Sequence, residues 1–122
     1  MHMKEKVPLN YVRTQRRRWA LTQKEVAGLL GIEDHACISR IEQGERIPSL
    51  ESALALEVLF GEPPKLLFPH IYAETEEALM VRAAALHESF IHSIKPREKR
   101  KRELLELALQ RAIAPSDSAK GV

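Results

Sequence analysis

The side chains best equipped for chemistry lie between residues 22 and 44, and their chemistry is hydrogen bonding rather than bond breaking. Arg40 carries a planar guanidinium fork, the group that pairs bidentately with guanine in a DNA groove. His35, Ser39, Gln43 and Gln23 are hydrogen-bonding side chains, and Ala36 is small enough for close approach. At helical spacing Ile38 and Ile41 point one way, while His35, Ala36, Ser39, Arg40 and Gln43 fall on the opposite side. A helix of this kind has a greasy inner face and an outer face of small, polar groups. Such an outer face can lie in a DNA major groove.

Bond-breaking chemistry finds no comparable set. The five histidines are scattered. His87 and His92 are five apart, which does not place two imidazoles on one helix face. Cys37 precedes Ile41 by four residues and leans inward, as a half-buried small residue does. The sequence holds no glycine-rich phosphate loop, zinc-ligand spacing or nucleophile elbow. We therefore expect no catalytic residues, no metal ligands and no cofactor; the chain does not read as an enzyme.

Two short helices must position the polar face. Thr22 followed by Glu25 is a capping-box pair, which starts the first. Val26, Ala27 and Leu30 give it one apolar face. Gly31 ends it, because a residue without a Cβ takes the left-handed conformation a C-terminal cap needs. Asp34 can cap the second helix, expected over residues 34–43, with Gly44 beyond its end. Upstream, Pro8 suits the first turn of a basic helix running to about Trp19. In it Arg13, Arg16, Arg17 and Arg18 read either as a solvated face or, in part, as phosphate contacts. Downstream, Ser49 caps a helix with Leu50, Ala53, Leu56 and Phe60 as its core residues. Gly61 stops it, and a short helix follows over Lys65 to Phe68.

These residues carry a resemblance. Leu21-Thr22-Gln23, Val26-Ala27, Leu30-Gly31-Ile32, Ile38-Ser39-Arg40-Ile41-Glu42 with Gly44, and Pro48-Ser49-Leu50 resemble the helix-turn-helix of the XRE/Cro family, the lambda-repressor-like regulators. The resemblance runs from about Leu9 to Phe68. It implies an all-α chain: a five-helix lambda-repressor-like helix-turn-helix domain over residues 7–69, followed by two C-terminal amphipathic helices. It implies a sequence-specific, DNA-binding transcriptional regulator that binds a palindromic operator as a homodimer. On this reading His35, Ala36, Ser39, Arg40 and Gln43 face the bases, Gln23 and Arg17 meet phosphate, and Arg16 pairs with Glu42 as a structural ion pair. Between Gly31 and Ile38 the chain has one residue more than the usual family turn.

The rest of the chain has its own pattern. Thr75 with Glu76 and Glu77 reads as a helix start. Leu79, Ala83, Leu86 and Phe90 then form a stripe, with Met80, Ala84, His87 and Ile91 beside it. A last helix begins near Lys95-Pro96 and carries Leu104, Leu105, Ala108, Leu109 and Ala112. Both need somewhere to bury their apolar faces, either against the domain or in a second copy, and residues 71–113 are the expected homodimer contact. Residues 114–122 read as a disordered tail. The basic run Lys95 to Arg102 reads as a solvated helix start or as a phosphate contact; at a helix N-terminus it opposes the macrodipole, so local stability does not explain it.

The formal net charge is +2 over 122 residues, which excludes a histone-like protein and still permits a local basic patch. No long uncharged apolar run is present, so no membrane partner is expected. One cysteine and a polar N-terminus fit a reducing cytoplasm. A protein partner such as polymerase or another regulator would fit activation as well as repression. The competing class is a protein-interaction module, an anti-activator or adaptor on a helix-turn-helix fold that has lost DNA binding. The extra turn residue, the acidic pair Glu33-Asp34 and the low net charge speak for it.

Overall fold

The structure is a computed structural model, and it describes residues 9–113. The Pro8 helix start and the expected tail over residues 114–122 lie outside that range. The described residues form seven helices and no strand: α1 (Val12–Arg18), α2 (Gln23–Leu29), α3 (Ala36–Glu42), α4 (Leu50–Phe60), α5 (Pro64–Leu67), α6 (Pro69–Ser89) and α7 (Pro96–Ile113). They group into two compact units that divide between Tyr72 and Ala73.

The first unit is held by one apolar cluster. Val12 of α1, Val26 and Ala27 of α2, Cys37, Ile38 and Ile41 of α3, Leu56 of α4, and Leu67 with Phe68 are all buried in it. Local chemistry sets the ends of these short helices. The Thr22 hydroxyl accepts from the Glu25 amide at 3.0 Å, and the Glu25 carboxylate accepts from the Thr22 amide at 2.9 Å, satisfying two orphan donors at once. Gly31 follows α2 at φ +76°, and the Ile32 amide then reaches back to the Ala27 carbonyl at 2.8 Å. Ser49 caps α4 by accepting from the Ser52 amide at 3.1 Å, and Gly61 closes α4 in the left-handed conformation.

Three expectations change. α3 begins at Ala36 rather than at residue 34, because the Asp34 carboxylate takes the Ala36 amide at 3.0 Å and His35 occupies the N-cap position. Leu50 was expected in the core and is 73% exposed. α4 is apolar on nearly every side, so hydrophobic period alone does not select its inner face, and Leu56 with Phe60 turns Leu50 outward. α6 begins at Pro69, six residues before Thr75, since a proline in the first turn loses no hydrogen bond.

The second unit is a helical hairpin from Ala73 onward. Among the described residues Ala83 is its one buried apolar residue, and α7 buries none. Polar clips hold it. Arg102 of α7 donates through Nη1 to the carbonyls of Phe90, Ser93 and Ile91 at 2.7, 3.3 and 3.4 Å, which are the orphan acceptors beyond the end of α6. His87 Nε2 lies 2.9 Å from Glu106 Oε2, and the Lys101 ammonium sits 5.4 Å from the centre of the Phe90 ring.

Candidate nucleic-acid interface

The polar face belongs to α3, and the surrounding helices lock α3 by its inner side. Ile38 and Ile41 are buried there, which fixes the rotation of the helix about its axis. Glu42, at its last turn, is buried with them, and its carboxylate is the centre of a four-donor cluster. Arg16 Nε donates to Oε2 at 2.6 Å and Arg16 Nη2 to Oε1 at 3.1 Å. Gln23 Nε2 donates to Oε1 at 3.1 Å and Arg13 Nε at 3.4 Å. Arg16 also donates through Nη1 to the Leu21 carbonyl at 3.1 Å. One carboxylate therefore ties α1 and α2 to α3.

Burial pushes the Glu42 carboxyl up, but hydrogen bonds from Arg16 and Gln23, the Arg16 charge and the Arg13 contact together outweigh it. The net result holds Glu42 below its ordinary value, so it is ionised at neutral pH. A buried ion pair satisfied on both oxygens in this way is costly to break from one side.

A second lock was not legible beforehand. Asn10 is buried; its Nδ2 donates to the Ile41 carbonyl at 2.9 Å, and its Oδ1 accepts from the Val12 amide at 3.1 Å. One side chain starts α1 and satisfies a carbonyl near the end of α3. The first half of that role follows the ordinary preference of Asn before a helix; the second spans 31 residues and has no sequence signal. Past α3, Gly44 at φ +80° leaves room for Leu9, whose side chain a Cβ would strike, and Arg46 Nη1 lies 3.1 Å from the buried Cys37 sulfur.

With the inner side fixed, the outer side is set. His35, Arg40 and Gln43 are exposed, and Ala36 and Ser39 are partly exposed. Gln43 Nε2 donates to Ser39 Oγ at 3.2 Å, which pairs two of the five. Gln23 lies apart from this face, with one amide hydrogen given to Glu42. The basic residues of α1 separate by role. Arg16 is committed to Glu42, Arg13 shares in it, Arg18 stacks over Trp19 at 5.7 Å, and Arg17 is exposed. Arg16, Arg17 and Arg18 also occupy the last turn of α1, where cations meet the negative end of the helix dipole.

Residues 13–67 match the helix-turn-helix family model, the segment that spans α1 to α5. This unit is a helix-turn-helix domain of the XRE, lambda-repressor-like type. A domain of this type supports a DNA-binding regulator in general character. Within it α2 and α3 are consecutive short helices, α2 at Gln23–Leu29 and α3 at Ala36–Glu42. No curated protein and no solved structure matches the chain. Among the described residues no cluster of His, Cys, Asp and Glu could hold a metal ion, and no helix is long and apolar enough to cross a membrane.

Proposed function

We propose that the chain is a sequence-specific repressor that binds a palindromic operator in the cytoplasm as a homodimer, with α3 of each copy in the major groove. The observation that carries this reading is the split of α3 into a locked inner side and a free outer side. Glu42, Ile38 and Ile41 are buried, whereas Arg40 is exposed at the centre of a face of small and polar groups. Arg40 forks onto a guanine, the commonest specific contact. His35, Ala36, Ser39 and Gln43 line the same groove. Gln23, through its second amide hydrogen, and Arg17 meet backbone phosphate, which positions the domain without reading sequence. Repression is steric. Residues 71–113 carry the dimer contact, since their helices leave Leu79, Leu86, Leu104 and Leu107 about half exposed or more.

A protein-interaction module is the second reading, favoured by exposed Glu33 and Asp34 immediately before α3, whose charges oppose phosphate. Binding to genomic DNA fragments titrated with salt separates the two. The repressor loses affinity steeply, because each neutralised phosphate releases counterions; the adaptor shows no such binding. Selection from a random DNA pool then yields the operator, and a selected site with no two-fold symmetry rules out the palindromic homodimer.

A further inference from the structure

Two helices present apolar stripes to solvent, and their charges are opposite. On α4, Leu50 is 73%, Leu54 48% and Val58 85% exposed, and Ile47 just before the helix is 71% exposed. Residues 50, 54 and 58 form one line at helical spacing. Glu51 and Glu57 flank that line on either side, and Glu45 and Glu62 stand beyond its ends. Arg46 is the one cation between residues 44 and 64, and its guanidinium is turned onto Cys37.

On α7 the corresponding line is Arg97, Arg100, Leu104, Leu107 and Arg111, all exposed. Their 3-4-3-4 spacing keeps them on one side of the helix over its whole length. Two leucines thus sit between arginines, with Glu103 as the acidic neighbour. Neither stripe suits its own copy across a two-fold axis. α4 against α4 would oppose glutamate with glutamate, and α7 against α7 arginine with arginine. Like charges brought together at an interface oppose association.

We propose that α4 of one protomer is covered by α7 of a second copy, and reciprocally, so that each homodimer contains this contact twice. The pairing rests on the homodimer reading above and names its partner surface. Leu104 and Leu107 lie against Leu50, Leu54 and Val58, while Arg100 and Arg111 meet Glu51 and Glu57. Five aliphatic side chains per contact, made twice, remove roughly 1,000 Å² of apolar surface from water, which reaches the lower bound for a specific interface. Two-fold exchange of different surfaces closes the assembly at two copies, so no open chain forms.

Charge exchange tests it on the full-length chain. One variant carries Glu51→Arg with Glu57→Arg; the other carries Arg100→Glu with Arg111→Glu. All four positions are at least partly exposed, and circular dichroism checks that helix content is kept. By sedimentation each variant alone dissociates about tenfold more readily or worse. Mixed in equal amounts they form a heterodimer of wild-type affinity, because both contacts regain opposite charges. All four substitutions on one chain likewise restore a homodimer. The pairing is overturned if the mixture stays as dissociated as its components, or if a wild-type dimer ignores both reversals. A wild-type chain that sediments as a monomer removes the homodimer reading itself, a different failure with a different signature.

Discussion

Leu56 and Leu104 are the same residue on regular helices, yet Leu56 is fully buried and Leu104 is 60% exposed. The difference runs through the two units. The helix-turn-helix unit closes a cluster of nine buried residues drawn from its successive helices, and its polar groups inside that core are paired. The α6–α7 hairpin buries one alanine and is held by the Arg102 and His87 clips at its polar groups. A unit of the first kind needs no partner to keep its shape. The second unit is two helices joined by polar contacts, with a single buried alanine between them.

The largest test of that contrast is Arg16→Met. It leaves Glu42 buried with two weaker donors, and breaking a buried pair from one side costs about 3–5 kcal/mol. Urea unfolding of the first unit should shift accordingly, with DNA binding weakened as a consequence. Next comes a matched pair of truncations. Leu56→Ala should cost about 2–5 kcal/mol, as cavity-forming substitutions do. Leu104→Ala should leave the monomer's stability within about 0.5 kcal/mol, the range for surface positions, and register instead in the dimer constant. Equal unfolding costs would erase the distinction between the units.

Arg102→Ala removes a charged donor shared by three carbonyls, worth about 1.5–3 kcal/mol. The loss should appear in hydrogen exchange as faster opening near Phe90 to Ser93, with the first unit unchanged. A smaller effect concerns pH. Glu42 titrates lower in the folded chain than its ordinary value, so its contribution is complete above about pH 4.3 and fades as pH falls through the lowered folded value. Stability of the first unit measured from pH 7 downward should decline more in the wild type than in Glu42→Gln over that acidic window.

The sequence was most legible where structure is local. The Thr22–Glu25 box, the Ser49 cap and the turns at Gly31 and Gly61 each depend on residues within four or five positions, and each appears where its residues indicate. Legibility fell where a partner is distant or where several faces look alike. The Asn10 bond to Ile41 needs a residue 31 positions away. Leu50 seemed as suited to the core as Leu56, because α4 offers apolar residues on most of its circumference. Thr75 with Glu76 and Glu77 reads as a helix start, yet α6 already begins at Pro69, because proline at a first turn serves equally as a start. At the site, the division of α3 into two faces followed from period. That Gln23 hands an amide hydrogen to Glu42 did not, since it requires knowing how α2 lies against α3.

Base reading by Arg40 on the outer face of α3 is tested most directly by the affinity of wild type and Arg40→Ala for a panel of single-base variants of the selected operator. Arg40→Ala should lose about 1–3 kcal/mol on the preferred site and become indifferent to one base pair in each half-site, with the remaining positions ranked as before. Gln23→Ala, a phosphate contact, should weaken the whole panel by one factor. If Arg40→Ala also weakens every variant by the same factor, Arg40 reads no base and the claim fails.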